Sequence, residues 1–164
     1  MNGYMSIRPI EPSDRDWVIG LLTSRWRSPN IVTRGVIYDA SQLPGFICHV
    51  GSERAGLITY HINQGECVII SLDSMREGIG VGTQLIEAVQ KLAIESGCRR
   101  LWLITTNDNL PALRFYQKRG FCLVAVHREA INASRMLKPE ISEIGLFGIP
   151  LRDEIELEIP LLHE

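Results

Sequence analysis

A chain of 164 residues with 45% hydrophobic content can bury a substantial core, and its length is at the scale of one domain spanning 1–164. Its formal charge of −2 gives no field for nucleic-acid phosphates or an anionic membrane, so small molecules are the expected partners, with no nucleic acid and no membrane. Cys48, Cys67, Cys98 and Cys122 are scattered without a C-x-x-C pair or a zinc-type His spacing, which excludes a disulfide framework and a metal site and leaves buried free thiols.

Residues 1–6 lack a basic stretch leading into an apolar run, and no segment approaches the ~18 apolar residues that span a bilayer, so cytoplasmic residence is the expectation. Residues 5–10 read as a short strand. A helix follows from Ser13 or Asp14, both suitable N-caps, with Trp17, Val18, Leu21 and Leu22 at helical spacing. The segment 27–43 mixes Ser, Pro, Asn and Gly with isolated apolar residues and supports no assignment beyond a loop with a short irregular element.

Three β-rich runs come next, 46–50, 55–62 and 67–72, separated by turn residues at 51–54 and 63–66, and consecutive antiparallel strands are expected. From Val81 the period changes to 3.6, with Leu85, Ile86, Val89, Leu92 and Ala93 on one face and Gly97 closing the helix. Residues 100–106 read as a buried strand that can pair in parallel with 67–72. A helix from Leu110 or Pro111 to about Lys118 ends at Gly120, and strand 121–126 follows. Residues 129–137 suit a short helix, 138–150 a long loop, and 154–159 a last strand alternating acidic residues with Ile155, Leu157 and Ile159.

Glu77, Gly78, Ile79, Gly80, Val81 and Gly82 form a glycine-rich turn between a strand and a helix. There, free backbone N–H groups and about half a positive charge gather, an arrangement suited to a pyrophosphate. Gly80 and Gly82 would admit phosphate oxygens without a Cβ in the way, and Thr83 adds a hydroxyl. A plain tight turn explains the glycines as well, and the turn lacks the Lys-Ser/Thr ending of an ATP-binding loop.

The segment from Asn109 carries more information. Asn109, Ala112, Phe115, Tyr116, Gly120 and Phe121 fit the pattern N-x-x-A-x-x-F-Y-x-x-x-G-F, which resembles the second cofactor motif of GNAT-superfamily N-acetyltransferases. The Gly80/Gly82 turn resembles their first motif at the expected distance upstream, and the tail is similar to a subset of uncharacterised GNAT-like proteins. The resemblance implies an α/β fold of the α+β kind: a mixed, mostly antiparallel sheet of six or seven strands, splayed at its centre, with helices on both faces.

It also implies an acetyl-coenzyme A dependent N-acetyltransferase, with acetyl-coenzyme A as co-substrate, an amine-bearing small molecule or peptide as acceptor, no metal, and room for a homodimer. Leu72, Asp73 and Ser74 would lie along the pantetheine arm, the N–H groups from Glu77 to Thr83 would cradle the pyrophosphate, and Asn109, Ala112 and Phe115 would contact the cofactor. Tyr116 falls where many members place the phenol that protonates the departing thiolate. Glu77 stands where a Gln or Arg is usual, so its side chain is expected to turn away, with Arg76 as partial substitute.

For the base that takes the proton of the ammonium, Glu66, Asp73, His61 and His127 all remain open. Asp153, Glu154, Glu156 and Glu158 would suit a cationic acceptor or simply form a solvated edge strand. Two rival readings are an acyl-coenzyme A sensor or scaffold without turnover and a nucleotide-binding module.

Overall fold

The computed structural model describes residues 4–161; the outermost part of the N-terminal stretch read above lies outside the described residues. Nine strands and four α-helices follow in the order β1 (Met5–Pro9), α1 (Arg15–Trp26), β2 (Asn30–Thr33), β3 (Val36–Asp39), β4 (Gly45–Val50), β5 (Glu53–Asn63) and β6 (Glu66–Ser74). Then come α2 (Val81–Glu95), β7 (Arg100–Thr106), α3 (Leu110–Lys118), β8 (Cys122–His127), α4 (Ala130–Leu137) and β9 (Glu154–Pro160). Seven strands form one sheet in the order β1-β4-β5-β6-β7-β9-β8, antiparallel throughout except for the parallel β6–β7 pair.

The near-continuous apolar runs of β4, β5 and β6 reflect burial on both faces. Cys48, Ile58, Cys67, Ile69, Leu101 and Leu103 face α2, whose Val81, Leu85, Ile86, Val89 and Ala93 form the buried stripe, and α3 adds Leu113, Phe115 and Tyr116 on that side. The alternate residues Ile47, Leu57, Val68 and Ile70 face Val18 and Leu22 of α1 and Ile31 of β2. Each fully buried aliphatic side chain contributes about 1.5–3 kcal/mol, so the α2 stripe alone fixes the helix to the sheet.

The segment 27–43, which the sequence left unassigned, is a β2–β3 hairpin followed by a short 3₁₀ turn, Ala40–Gln42. Its turn residues Arg34 and Gly35 have φ of 49° and 76°, the left-handed pair that a tight hairpin demands. Arg34 repays that conformation with an ion pair to the buried Glu154 carboxylate, Nη1 to Oε1 at 3.0 Å, tying the hairpin to β9. At the start of α1 the expected cap differs too. A 3₁₀ turn, Pro12–Asp14, precedes the helix, and the buried Asp14 carboxylate accepts from the Glu11 N–H and pairs with Arg8 and Arg54 instead of capping α1.

Two irregularities open the sheet at its centre. The β5–β6 register shifts between Thr59/Ser71 and Tyr60/Ile69, which leaves Ile70 as an additional residue in β6 and bends that strand. The parallel pairing of β6 with β7 stops at Ile69 and Leu103, so β6 from Ile70 to Ser74 and β7 from Ile104 to Thr106 run on without each other.

The long connection between α4 and β9 is fastened to the β7–α3 turn. Asn107 donates from Nδ2 to the Pro150 carbonyl at 2.8 Å and accepts from the N–H groups of Arg152 and Asp153, while Asp108 accepts from Leu146 N–H at 2.8 Å. None of the four cysteines is in a disulfide; Cys48, Cys67 and Cys98 are buried as expected, whereas Cys122 is exposed on the edge strand β8. Among the described residues no helix is long and apolar enough to cross a membrane, and no group of three or more His, Cys, Asp or Glu is placed to hold a metal.

Candidate active site

A cleft of about 570 Å³ lies where β6 leaves β7, between the end of β6, the glycine turn at the head of α2, and α3. Leu72, Asp73, Ser74, Glu77, Gly78, Gly80, Val81, Gly82, Thr83, Ala112, Phe115 and Tyr116 line it, which brings together most of the residues singled out from sequence.

The turn itself is built as a cradle. Gly78 and Gly80 have φ of 80° and 93°, values that only glycine adopts at little cost, and Gly80 is the N-cap of α2. The first amide of α2 to donate within the turn is that of Gln84, to the Gly80 carbonyl at 3.0 Å. The N–H groups of Val81, Gly82 and Thr83 therefore have no helical acceptor and carry the positive end of the helix dipole into the cleft.

Gly82 has a packing task besides the one expected. A Cβ at this position would stand 2.9 Å from Cζ of Phe115, so the missing side chain makes room for that ring and lets α3 close against α2. Above the ring lies the Arg119 guanidinium, 3.5 Å from the centroid, with Nε donating to Thr83 Oγ1 at 2.8 Å and Nη1 to the Phe115 carbonyl at 2.9 Å. Arg119, Arg25 and Arg76 also line the cleft, against the carboxylates of Asp73 and Glu77. Three cations against two anions leave a formal surplus of one positive charge. Arg76 is held loosely by the exposed Glu53 at 3.6 Å, consistent with a side chain free to meet an anion.

The donors, the left-handed glycines and the surplus charge fit a pyrophosphate, and the volume suits an extended small molecule. Sequence reasoning missed Arg119 and Arg25. Arg119 follows the last residue of α3 next to the motif's Gly120, but nothing in the sequence shows that it reaches back to Thr83.

Tyr116 stands at the inner wall, its ring edge-on to Phe115 and to Phe121 at centroid distances of 5.3 and 5.4 Å. Burial raises its phenol well above the ordinary value, and the nearby Asp73 carboxylate adds to the effect, so the group stays protonated. Asp73 is buried, and that burial raises its own carboxyl, partly countered by the Trp26 indole N–H, which donates to Oδ2 at 3.1 Å, and by the charge of Arg25.

The other base candidates fall elsewhere. Glu66 lies at the far, paired end of β6, 2.7 Å from Arg100 Nε and 3.8 Å from Arg99, because the closed part of the sheet gathers those charges into ion pairs. His127 on the edge strand bonds Glu156 at 2.9 Å, and His61 packs against the Tyr38 ring at 5.3 Å. Asn109 does not line the cleft; its Oδ1 accepts from the Ala112 N–H at 3.2 Å and caps α3. Ile79 is exposed outside the cleft, whereas Glu77 borders it. The acidic residues of β9 are paired with cations, Glu154 with Arg34, Glu156 and Glu158 with Arg100, and the adjoining Asp153 with Arg152, and none of them lines the cleft.

A parallel strand pair that parts beside a glycine-rich helix start, with a partly buried phenol on the facing helix, is the arrangement expected of a coenzyme A-dependent acyltransferase. The comparisons agree: residues 3–121 match the Acetyltransferase (GNAT) family, and the chain belongs to it. The uncharacterized protein YdhI of Bacillus subtilis is 41% identical over 152 residues, covering 92% of this chain and 95% of its own length. Among solved structures, a Bacillus subtilis acetyltransferase in complex with coenzyme A superposes with a TM-score of 0.71 at 19% identity, covering 97% of this chain and all of that one. A GNAT family acetyltransferase from Elizabethkingia anophelis with acetyl-coenzyme A bound gives 0.68 at 18% identity, over 96% of this chain and 98% of its own.

Proposed function

We propose that the chain is an acetyl-coenzyme A dependent N-acetyltransferase that passes an acetyl group directly to a primary amine, with residues 1–164 as one domain. The observation that carries this reading is the convergence, in one cleft, of the N–H cradle at 80–83, the free edge of β6 and the Tyr116 phenol. Bound there, acetyl-coenzyme A supplies an acyl group activated as a thioester.

The residues divide the remaining work. The amides of Val81, Gly82 and Thr83, with Arg76 and Arg119, hold the pyrophosphate. The edge of β6 beyond Ile69, having lost its partner, presents N–H donors to the carbonyl oxygen as it gains charge. Asp73 takes the proton of the incoming ammonium; the amine nitrogen bonds to the acetyl carbon as the carbon–sulfur bond breaks, Tyr116 gives its proton to the sulfur, and the second proton shed by the nitrogen restores the phenol through water. The raised phenol and the raised carboxyl both follow from burial, and they set one group as acid and the other as base.

Thermal shift with acetyl-coenzyme A, coenzyme A and ATP, followed by thiol release over a panel of amines and peptides, tests the reading. Stabilisation by both coenzyme A forms together with amine-dependent thiol release is expected; stabilisation by ATP alone would sink it. Binding without release from any acceptor would favour a non-catalytic sensor.

A further inference from the structure

A second cavity, of about 280 Å³, adjoins the cleft. It is walled by the end of α1, by β2, by Thr106 where β7 runs free, and by α4 with the segment after it. Arg25 borders both cavities, and Trp26 lines the second while its indole N–H holds Asp73 in the first. The two spaces therefore share Arg25, and Trp26 ties the second to the base proposed above. At 280 Å³ the cavity is below the range of ~300–1,000 Å³ that takes drug-sized ligands, so its occupant is small.

Its charge is one-sided. Arg25, Arg27 and Lys138 line it against the single carboxylate of Glu140. Lys138 is buried, and its Nζ donates to the carbonyls of Trp26 at 2.9 Å and Asn30 at 2.6 Å, both neutral acceptors. Burial pushes its ammonium pKa down; Glu140 counters this, and neighbouring Arg27 pushes further in the same direction as burial. None of the ion pairs among the described residues involves Arg25, Arg27 or Lys138. A buried cation hydrogen-bonded only to neutral acceptors is costly, and an anionic ligand lowers that cost.

We propose that the acceptor is a small amine that carries a carboxylate, an amino acid in the chemical sense, with its carboxylate held by Arg25 and Lys138 and its amine turned to Asp73. Arg25 and Asp73 line the same cleft and present a positive and a negative group to one opening. That pair complements an ammonium and a carboxylate on one molecule, and the planar guanidinium suits a carboxylate bidentately. The proposal rests on the acetyltransferase reading and replaces the cationic acceptor that the acidic β9 had suggested.

The test is thiol release from acetyl-coenzyme A with matched sets of amines: free amino acids of α, β and γ spacing, their methyl esters and their decarboxylated amines. The expected result is a kcat/KM about 10–100-fold higher for a free acid than for its ester or decarboxylated partner, as charge-assisted bonds allow. The preference should fall about tenfold in Arg25→Gln, whose exposed position on α1 leaves the fold intact, and further in Lys138→Met. Equal or better turnover of the neutral partners, no turnover of any free acid, or an unchanged preference in Arg25→Gln overturns the proposal. Failure of acetyl-coenzyme A to raise the melting temperature of the wild-type chain overturns the acetyltransferase reading instead.

Discussion

Replacing Gly82 by alanine separates the packing role of this glycine from a phosphate-admitting one. The added Cβ meets Phe115 Cζ at 2.9 Å, and the ring cannot simply tilt away, because Arg119 lies 3.5 Å above it and is anchored to Thr83 and to the Phe115 carbonyl. Overpacking of this kind costs about 1–3 kcal/mol, and alanine's better helix propensity returns up to about 1 kcal/mol. A net loss of about 1 kcal/mol remains, which lowers Tm by about 2–4 °C in a chain of this size. Since the shift pushes α3 from the cradle, the Kd for coenzyme A should rise about tenfold, equivalent to about 1.4 kcal/mol. Adding Phe115→Leu removes the obstructing ring and should recover most of the lost Tm. Differential scanning calorimetry and calorimetric titration with coenzyme A measure both quantities. A Gly82→Ala chain as stable as wild type with unaltered affinity would refute the packing argument.

Tyr116→Phe keeps the edge-on ring contacts and removes only the acid, so kcat should drop about 10²-fold with the coenzyme A Kd unchanged; an unchanged kcat takes Tyr116 out of the mechanism. Asp73→Asn should lower kcat/KM about 10²–10³-fold and abolish the acidic limb of its pH profile. A base works deprotonated, so with its carboxyl raised by burial the wild-type rate falls with pH at a value above that of an ordinary aspartate; persistence of that limb in the variant would place the base elsewhere. Arg100→Met strands Glu66, Glu156 and Glu158 and should cost about 3 kcal/mol at neutral pH. Burial alone would raise Glu156, yet bonds from Arg100 and His127 bring it below its ordinary value, so that contribution is present above about pH 4.3 and lost below it. The gap between wild type and variant in urea melts should therefore narrow as pH falls from about 5 to 3, and a gap constant with pH would remove the charge cluster from the account.

Wherever a single local period decided the matter, the fold was legible. The 3.6 spacing of Leu85, Ile86, Val89 and Ala93 gave α2, and the runs 46–50, 55–62 and 67–72 became β4, β5 and β6 with ends moved by one or two residues. Residues 27–43 stayed unread because their hairpin is only four residues per strand and draws its support from afar: Arg34 from Glu154, and Asn30 and Trp26 from Lys138. Asp14 misled for a related reason. An aspartate ahead of a helix is a cap by local rules, but here Arg8 and Arg54 from two strands claim the carboxylate.

The glycine-turn side of the cleft was legible for the same reason that α2 was: a strand, a glycine turn and a helix are contiguous, and the donors of the proposed cradle are backbone groups whatever Glu77 does. The acceptor side is assembled from pieces distant in sequence. Asp73 meets Trp26, Trp26 meets Lys138, and Arg25 joins the two cavities, contacts that no spacing announces. The acids of β9 are conspicuous in sequence and paired with cations in space, while the three cations of the second cavity, which no sequence pattern singles out, lie on α1, just after it and after α4. In this fold the two sides meet along one strand: β6 bulges at Ile70, runs on without β7 beyond Ile69, and carries Asp73 to its bond with Trp26. On the proposed acceptor site, a relative that keeps the glycine turn and Tyr116 but replaces Arg25 and Lys138 should acetylate a different class of amine.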